Sequence, residues 1–495
     1  MSIYLGIDFG TSTNYVTRWN EDGSVKAVPN MDPSLYTGDE VFPNVIYYQN
    51  SGNSIVGKSA SKFLAIDPRN GVAGVKRRLV EDNWEYFIPA ISAKSSPVDV
   101  TTDIFAYIKK RVSENNGGAN IDGVVISVPY AYGNKERLKI QKAAERAGLN
   151  VLDLIEEPVA AAVSYGVFQK QSTMGHSENI LVFDFGGGTL DITVFSYSKT
   201  PEGNVTIEVL NTEGLRDFGG QLIDELLMTK ITEKAGVNIS EIKDEEQRLK
   251  FQCEMIAKVV EIKEAYQYWE EDEEEDIDDI ISGIRVSTSV SREELEGWIR
   301  GAGMIEKIRF AVEDALIDSG ESGLEKEDID KVLLVGGSSN LNIVKRELEE
   351  MFSKEPEECN TVEINKMVGH GAGLYCGMKV KNNSSISIIQ KLSYSIGVRI
   401  GAKFDKLIEK NEKYGTFSKP RKYALADNKN HRDIEVYQGN STDIKKCFLI
   451  GKIPVSDLNL DAGQEIEIEL GTDKSGMVAY KVFVDGNIVT EGQIE

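Results

Sequence analysis

The sequence predicts an α/β protein of two similar halves followed by a smaller all-β unit. Three observations carry this reading. An apolar run ending in Asp-Phe-Gly occurs twice, at Asp8-Phe9-Gly10 and at Asp184-Phe185-Gly186, and each copy is followed by a second β-rich run. Between and after the two turns, strand-like and helix-like patterns alternate in the β-α-β-α order of a sheet covered by helices. From residue 386 the helical pattern stops, and short alternating runs separated by turns continue to the end.

Taken in order, Ile3-Tyr4-Leu5-Gly6-Ile7 enters the first turn and Tyr15-Val16-Thr17 leaves it, as a hairpin with a carboxylate at the end of its first strand. The rest of 1–50 alternates in strand fashion, and 58–67 has a helical pattern. A short basic patch, Lys76-Arg77-Arg78, follows. Residues 100–114 place Ile104, Tyr107, Ile108 and Val112 on one helical face. A buried-type strand over 123–128 is stopped by Pro129, and a helix over 134–147 is ended by Gly148. A short strand over 151–155 leads through Glu157-Pro158 into the small-residue helix start Val159-Ala160-Ala161-Ala162.

The second half opens with Ile180-Leu181-Val182-Phe183 before its turn and Ile192-Thr193-Val194-Phe195 after it. A strand over 205–212 and helices over 219–235 and 244–269 follow. The acidic run 270–279 reads as a solvated loop, and 291–318 as one long helix. The buried strand 331–335 ends in a third turn, Gly336-Gly337-Ser338-Ser339, before a helix from 341. Lys-Asn-Asn-Ser-Ser at 381–385 has linker composition. Alternating runs at 393–400, 433–437, 446–452, 464–470, 477–484 and 487–494 then suggest a β-sandwich of roughly 110 residues. The expected division is 1–380, a linker over 381–390, and a sandwich over 391–495.

A length of 495 residues fits about three compact units at ~150 residues each. The chain is acidic, with 80 Asp and Glu against 56 Lys and Arg and a net charge of −24. That balance argues against nucleic acid and anionic membranes as partners. Four widely spaced Cys without a Cys-x-x-Cys pair, and only three His, argue against structural zinc or a disulfide framework and suit a reducing cytoplasm. No apolar run approaches the roughly 20 residues of a membrane span, and no signal peptide is expected before the first strand.

One motif is a decoy. Gly52-Asn53-Ser54-Ile55-Val56-Gly57-Lys58-Ser59 matches the phosphate-loop pattern G-x-x-x-x-G-K-S. A working loop needs a buried strand directly before its first Gly and free interior amides. Here the polar stretch 49–53 intervenes, and Ser54-Ile55-Val56 reads as the returning strand of a hairpin.

The two Asp-Phe-Gly tips carry the chemistry. Glycine lets backbone amides cradle an anion, and a carboxylate beside such a tip suits a hydrated Mg²⁺ rather than a bare phosphate. Two facing copies would grip a metal-nucleotide from both sides. Asp8 and Asp184 are the candidate metal-shell carboxylates, and Thr11, Ser12 and Thr189 supply hydroxyls at the tips. Phosphoryl transfer to water also needs a cation and a positioned water. Lys76 is the candidate cation, and Asp191 and Glu157 are candidates for the metal shell or the attacking water.

Assembled in order, these motifs resemble the DnaK-type heat-shock 70 kDa chaperones. Ile7-Asp8-Phe9-Gly10-Thr11-Ser12 is similar to the family's first phosphate motif, and 184–191 to its second. Ile126-Ser127-Val128-Pro129-Tyr130 through Arg137 resembles its first connecting segment, and Gly369-His370-Gly371-Ala372-Gly373 its second. Glu157-Pro158-Val159-Ala160-Ala161-Ala162 and Leu334-Val335-Gly336-Gly337-Ser338-Ser339 are similar to its Glu-Pro and adenosine motifs. The resemblance implies a two-lobed actin-like ATPase domain of duplicated ribonuclease-H-like sheets, followed by a peptide-binding β-sandwich. It implies Mg²⁺ and ATP or ADP as ligands, with Asp8 and Asp184 holding the metal through water. Lys76, Glu157, Asp184, Thr189 and Asp191 carry catalysis in this reading. Gly10, Thr11, Ser12, Gly186, Gly187, Gly188, Thr189, Gly219, Gly220, Glu261, Glu264, Gly336, Gly337, Ser338 and Asn340 contact nucleotide. Pro129 and Arg137 match the relay between lobe and substrate domain. Extended polypeptide is the implied partner, with J-domain and nucleotide-exchange co-chaperones beside it.

The departures are specific. Asn340 stands where the family has an adenine-stacking Arg, and Asn342 where it has Pro, which predicts weaker nucleotide binding. The adenosine-clamping helix aligns around Glu261 to Glu264 in more than one way. The linker Ser385-Ile386-Ser387-Ile388-Ile389-Gln390 lacks the family's Asp residues. An ungapped alignment puts Lys422 and Arg432 at apolar pocket positions, and a shift by one brings in Tyr423. No helical lid is expected after the sandwich, which would imply fast peptide exchange. The functional expectation is therefore an ATP-dependent, chaperone-like protein. The alternative is a nucleotide-gated scaffold without general chaperoning, with a sugar or acid kinase on the same core as a third class.

Overall fold

The first Asp-Phe-Gly turn joins the antiparallel strands Tyr4–Phe9 and Thr13–Trp19, and the second joins Ser177–Phe185 and Leu190–Lys199. The structure, a computed structural model, describes residues 2–34, 40–168, 177–270, 272–317, 319, 323–357, 362–382, 386–424, 433–456, 458 and 464–494. Each hairpin is the centre of a larger sheet. The first sheet runs Val151–Glu156, Gly123–Val128, Tyr4–Phe9, Thr13–Trp19, Val25–Ala27. The second runs Lys331–Val335, Ser177–Phe185, Leu190–Lys199, Val205–Leu215, Ile386–Ile389. In both, the strand that ends in Asp-Phe-Gly has its hairpin partner on one side and a parallel strand on the other. This duplicated, two-lobed α/β architecture is the one expected.

The lobes are stitched together where two helices cross. Glu157–Phe168 follows the first sheet yet packs on the second-sheet strand Ser177–Phe185, and Met367–Lys381 follows the second sheet yet packs on Tyr4–Phe9 of the first. The crossing needs small residues. A Cβ on Gly371 would lie 1.7 Å from the Ala160 carbonyl oxygen, so no side chain fits there. The Thr17 hydroxyl donates to the Gly369 carbonyl at 2.7 Å and fixes the start of the second helix over the first tip.

Two local expectations are corrected. The acidic run is not a loop: Glu274–Ile281 is a strand paired with Ile284–Ser291. Its carboxylates face water while Ile277 and Ile281 are buried, so two apolar anchors outweigh the low strand preference of the acids. The long helix over 291–318 is two, Arg292–Gly301 and Met304–Ile317, because Gly303 adopts φ 68°, the left-handed conformation that ends a helix.

Among the described residues, the C-terminal sandwich holds two four-stranded sheets. One runs Lys403–Ile408, Ile396–Ile400, Ile434–Gln438, Phe448–Ile453, and the other Arg421–Ala424, Glu465–Thr472, Val478–Val484, Asn487–Gln493. Their inner faces share a core that includes Val398, Ile408, Val436, Ile466, Ile468, Leu470 and Val482. Ile386–Ile389, inside the stretch read as a linker, adds a parallel edge strand to the second-lobe sheet beside Val205–Leu215. The sandwich also touches the first lobe. The Asn134 amide donates to Gln438 at 2.9 Å, its side chain donates to the Ile494 carbonyl at 2.8 Å, and the Val478 amide donates to Asn134 at 2.8 Å. Among the described residues, no helix is long and apolar enough to cross a membrane.

Candidate nucleotide site between the lobes

Strand pairing aims both turns at one space. The Asp-Phe-Gly tips meet face to face: a Cβ on Gly187 would lie 2.1 Å from the Ser12 hydroxyl, and one on Gly188 2.6 Å from the Thr11 hydroxyl. Between them lies a cavity of about 490 Å³. Asp8, Gly10, Thr11 and Ser12 line it from the first lobe, and Asp184, Gly186, Gly187, Gly188 and Thr189 from the second. Lys76, Glu157, Glu264, Gly336, Gly337, Ser338 and Asn340 complete the expected wall.

Other expected residues stand behind it. Asp191 pairs directly with Asp184 across the hairpin and is fully buried. Gly219 and Gly220 support the second tip: the amides of Gly220 and Gln221 donate to the carbonyls of Gly186 and Gly187, each at 2.9 Å. Both ambiguous acids are exposed on their helix, and of the two it is Glu264 that lines the cavity.

The electrostatics are those of a cation receptor. Asp8, Glu157, Asp184 and Asp191 converge on one buried lysine, Lys76, which is ion-paired with Glu157. Burial, then the Glu157 charge, push Asp8 up to about 7, although Lys76 and a 2.8 Å hydrogen bond from Ser127 oppose this. Burial and Glu157 likewise push Asp191 up to about 7. Asp184 rises well above the ordinary range, first through burial and then through Glu157, Asp191 and Asp8. Its Oδ2 is buried without a protein hydrogen-bond partner. No three described acids, His or Cys close into a direct metal cage. Carboxylates that form no such cage, on a glycine-lined cavity, fit a hydrated Mg²⁺ held through water and phosphate.

The base end was read least well. Val260, Leu341, Ile364 and Val368 give it apolar walls, and Gln267 and Asn365 give it amides. None of these belongs to a glycine turn, so local sequence gave no signal for them. Lys263, on the same helix as Glu264, is held by Asp224 at 2.6 Å and by the Gly220 carbonyl at 3.2 Å. Asn342 donates to the Gln267 carbonyl at 3.1 Å and closes that end. In the decoy motif, Ser54–Val56 pairs with Val45–Tyr48, so its amides belong to a sheet ladder as expected.

His370, beside this site in the second crossing helix, is pushed down to about 4 by burial and lies 3.1 Å from the Ser164 hydroxyl. Below its ordinary pKa the unfolded chain takes a proton that the folded chain refuses, so stability falls as pH drops from about 6.5 towards 4. Urea midpoints from pH 7.5 to pH 5 should fall less in His370→Gln than in the parent; identical slopes would assign the acid sensitivity elsewhere.

A family model described as "Hsp70 protein" matches residues 4–486. "Chaperone protein DnaK" of Thermotoga neapolitana is 27% identical over 497 aligned residues, covering 96% of this chain and 77% of that protein. The protein of the same name from Thermotoga maritima has the same identity and coverage. That from Thermosipho melanesiensis is 26% identical over 493 residues, again with 96% and 77% covered.

Proposed function

The chain belongs to the Hsp70 family, and from that premise we propose that it hydrolyses Mg-ATP between its lobes and couples the hydrolysis to polypeptide binding by its C-terminal sandwich. In this reading 1–380 is the ATPase domain, 381–390 the connection and 391–495 the substrate-binding unit. One observation carries it: two carboxylate-bearing glycine tips oppose each other across a 490 Å³ cavity with a buried lysine in its wall.

Gly186, Gly187 and Gly188 on one side and Gly10, Thr11 and Ser12 on the other would cradle the phosphates. Asp8 and Asp184 would hold Mg²⁺ through water, and the ion would neutralise charge on the phosphate oxygens. Lys76 would place its ammonium against the terminal phosphate. Glu157 and Asp191 would orient the attacking water, and the Thr189 hydroxyl would steady the terminal phosphate. The test is steady-state ATP hydrolysis with and without an unfolded polypeptide. Stimulation by the polypeptide is expected. Slow turnover indifferent to it would favour a nucleotide-gated scaffold, and phosphate transfer to a sugar would favour a kinase.

At the base end, the only described lysine on the wall besides Lys76 is Lys263, which is engaged by Asp224. Asn340→Arg restores a cation able to stack on a purine, a contact worth about 0.5–2 kcal/mol. Its affinity for a fluorescent ATP analogue should rise roughly 2- to 30-fold over the parent. An unchanged affinity would mean that Asn340 does not face the base.

A further inference from the structure

The sandwich carries a polar contact where the family resemblance puts an apolar pocket. In Arg421–Ala424 side chains alternate between faces, and pairing with Glu465–Thr472 decides which is which. Lys422 pairs with Glu467 and points to solvent, near Glu465 and Glu467 at 3.6 and 3.8 Å. Arg421 pairs with Ile468 and Tyr423 with Ile466, two fully buried core residues, so both point into the sandwich. Of the two registers considered, the one that brings in Tyr423 names a side chain on the inner face, whereas Lys422 is on the outer one; Arg432 lies outside the described residues.

On the opposite sheet, Asp405 pairs with the fully buried Val398 and so also points inward. Arg421 donates to Asp405 Oδ1 at 2.7 Å and to the Lys406 carbonyl at 2.9 Å, and the Tyr423 hydroxyl donates to Asp405 Oδ2 at 2.7 Å. One carboxylate is thus gripped by a guanidinium and a phenol across the two edge strands at this side of the sandwich. About half of the Arg421 side chain and a third of Asp405 remain exposed, so the contact can be reached from outside. Residues 403–424 hold seven Lys and Arg against three Asp and Glu, in a chain of net charge −24; Lys406, Lys410, Lys413 and Lys422 are ion-paired with Glu409, Glu213, Glu208 and Glu465.

We infer that this contact is a carboxylate receptor, in which an acidic side chain of an extended polypeptide takes the place of Asp405 on Arg421 and Tyr423. The inference rests on the sandwich being a polypeptide receptor, as proposed above. The chemistry favours it over an apolar client. An incoming leucine would leave Arg421, Tyr423 and Asp405 all without their partners, whereas an incoming carboxylate keeps the two donors satisfied and leaves only Asp405, a third exposed, to be solvated by water. Lysines on edge strands also discourage edge-to-edge aggregation, but that role does not require an inward Arg, Tyr and Asp in contact.

The experiment uses the full chain and two fluorescein-labelled extended heptapeptides, identical except for Leu or Glu at the centre, read by anisotropy with ADP. The Glu peptide should bind about 10-fold or more tighter at low salt, with the margin shrinking as salt rises. Arg421→Gln should remove that preference, and Asp405→Asn, which withdraws the internal competitor, should tighten the Glu peptide. Basal ATP hydrolysis should be unchanged in both variants. Tighter binding of the Leu peptide, or a preference that survives Arg421→Gln, overturns the inference while leaving the receptor reading standing. Binding of neither peptide overturns both.

Discussion

Lys76→Ala lowers ATP turnover by about 100-fold or more while nucleotide still binds, if the cleft works as proposed. The magnitude follows from removing a preorganised charge aimed at a developing negative one in a site closed to water, which costs about 10²–10³ in rate. Two features of this chain raise the expectation towards the upper end. Lys76 is 1% exposed, so water cannot take over its role cheaply. It is also the cation that holds down the pKa of Asp8, Asp184 and Asp191. Its loss therefore drives those carboxylates further towards the protonated form and weakens their hold on a hydrated metal. Single-turnover hydrolysis across a Mg²⁺ series separates the two effects: a defect in phosphate chemistry persists at saturating Mg²⁺, and a defect in metal retention does not. Turnover within 10-fold of the parent at saturating Mg²⁺ would remove Lys76 from the mechanism. Lys58→Ala is the control and should leave turnover unchanged, because the amides before it pair with Val45–Tyr48.

The glycine-tip end of this site was legible because its sequence signals are local. Glycine tips, flanking strands and an Asp at the strand end are all fixed within a few residues, so Asp8, Gly10 and Thr11 could be named from one stretch, and Asp184 and Gly186 to Thr189 from another. The base end is assembled from one face of the helix Glu245–Tyr266, the turn after Lys331–Val335, and residues just before the second crossing helix. Only tertiary packing brings those together, and the choice between Glu261 and Glu264 turns on which side of a helix faces the cavity. The sandwich shows the same divide. Strands with clean alternation were read, whereas Lys403–Ile408 and Arg421–Ala424 were missed because inward positions hold Asp405, Arg421 and Tyr423. Polar side chains on an inner face erase the period-2 signal that marks a strand, and in this chain they erase it at the contact of Arg421 and Tyr423 with Asp405.

Arg137→Ala destabilises the contact between sandwich and first lobe by about 3–5 kcal/mol, the cost of leaving a buried charge without its partner. Arg137 and Glu156 are almost fully buried and ion-paired, and the Tyr414 hydroxyl from the sandwich donates to Glu156 as well. Arg137 also donates to the Tyr414 oxygen at 3.1 Å and lies 5.8 Å from the centre of its ring. Burial pushes the Glu156 carboxyl up, and Arg137 and Tyr414 pull it back. Removing Arg137 strands Glu156 between lobe and sandwich. Removing the whole polar set is different: Arg137→Met with Glu156→Leu and Tyr414→Phe leaves no charge to desolvate, and such replacements are often neutral or better. The triple variant should therefore be more stable than Arg137→Ala alone, although it removes more contacts. Tyr414→Phe alone should cost only about 1–2 kcal/mol. Its effect should appear as faster proteolysis within 381–390, the stretch that holds the edge strand Ile386–Ile389 against Val205–Leu215. Denaturant titration of the three variants orders them. A triple variant less stable than Arg137→Ala would mean that the network stabilises the interface through its hydrogen bonds rather than merely avoiding a stranded charge.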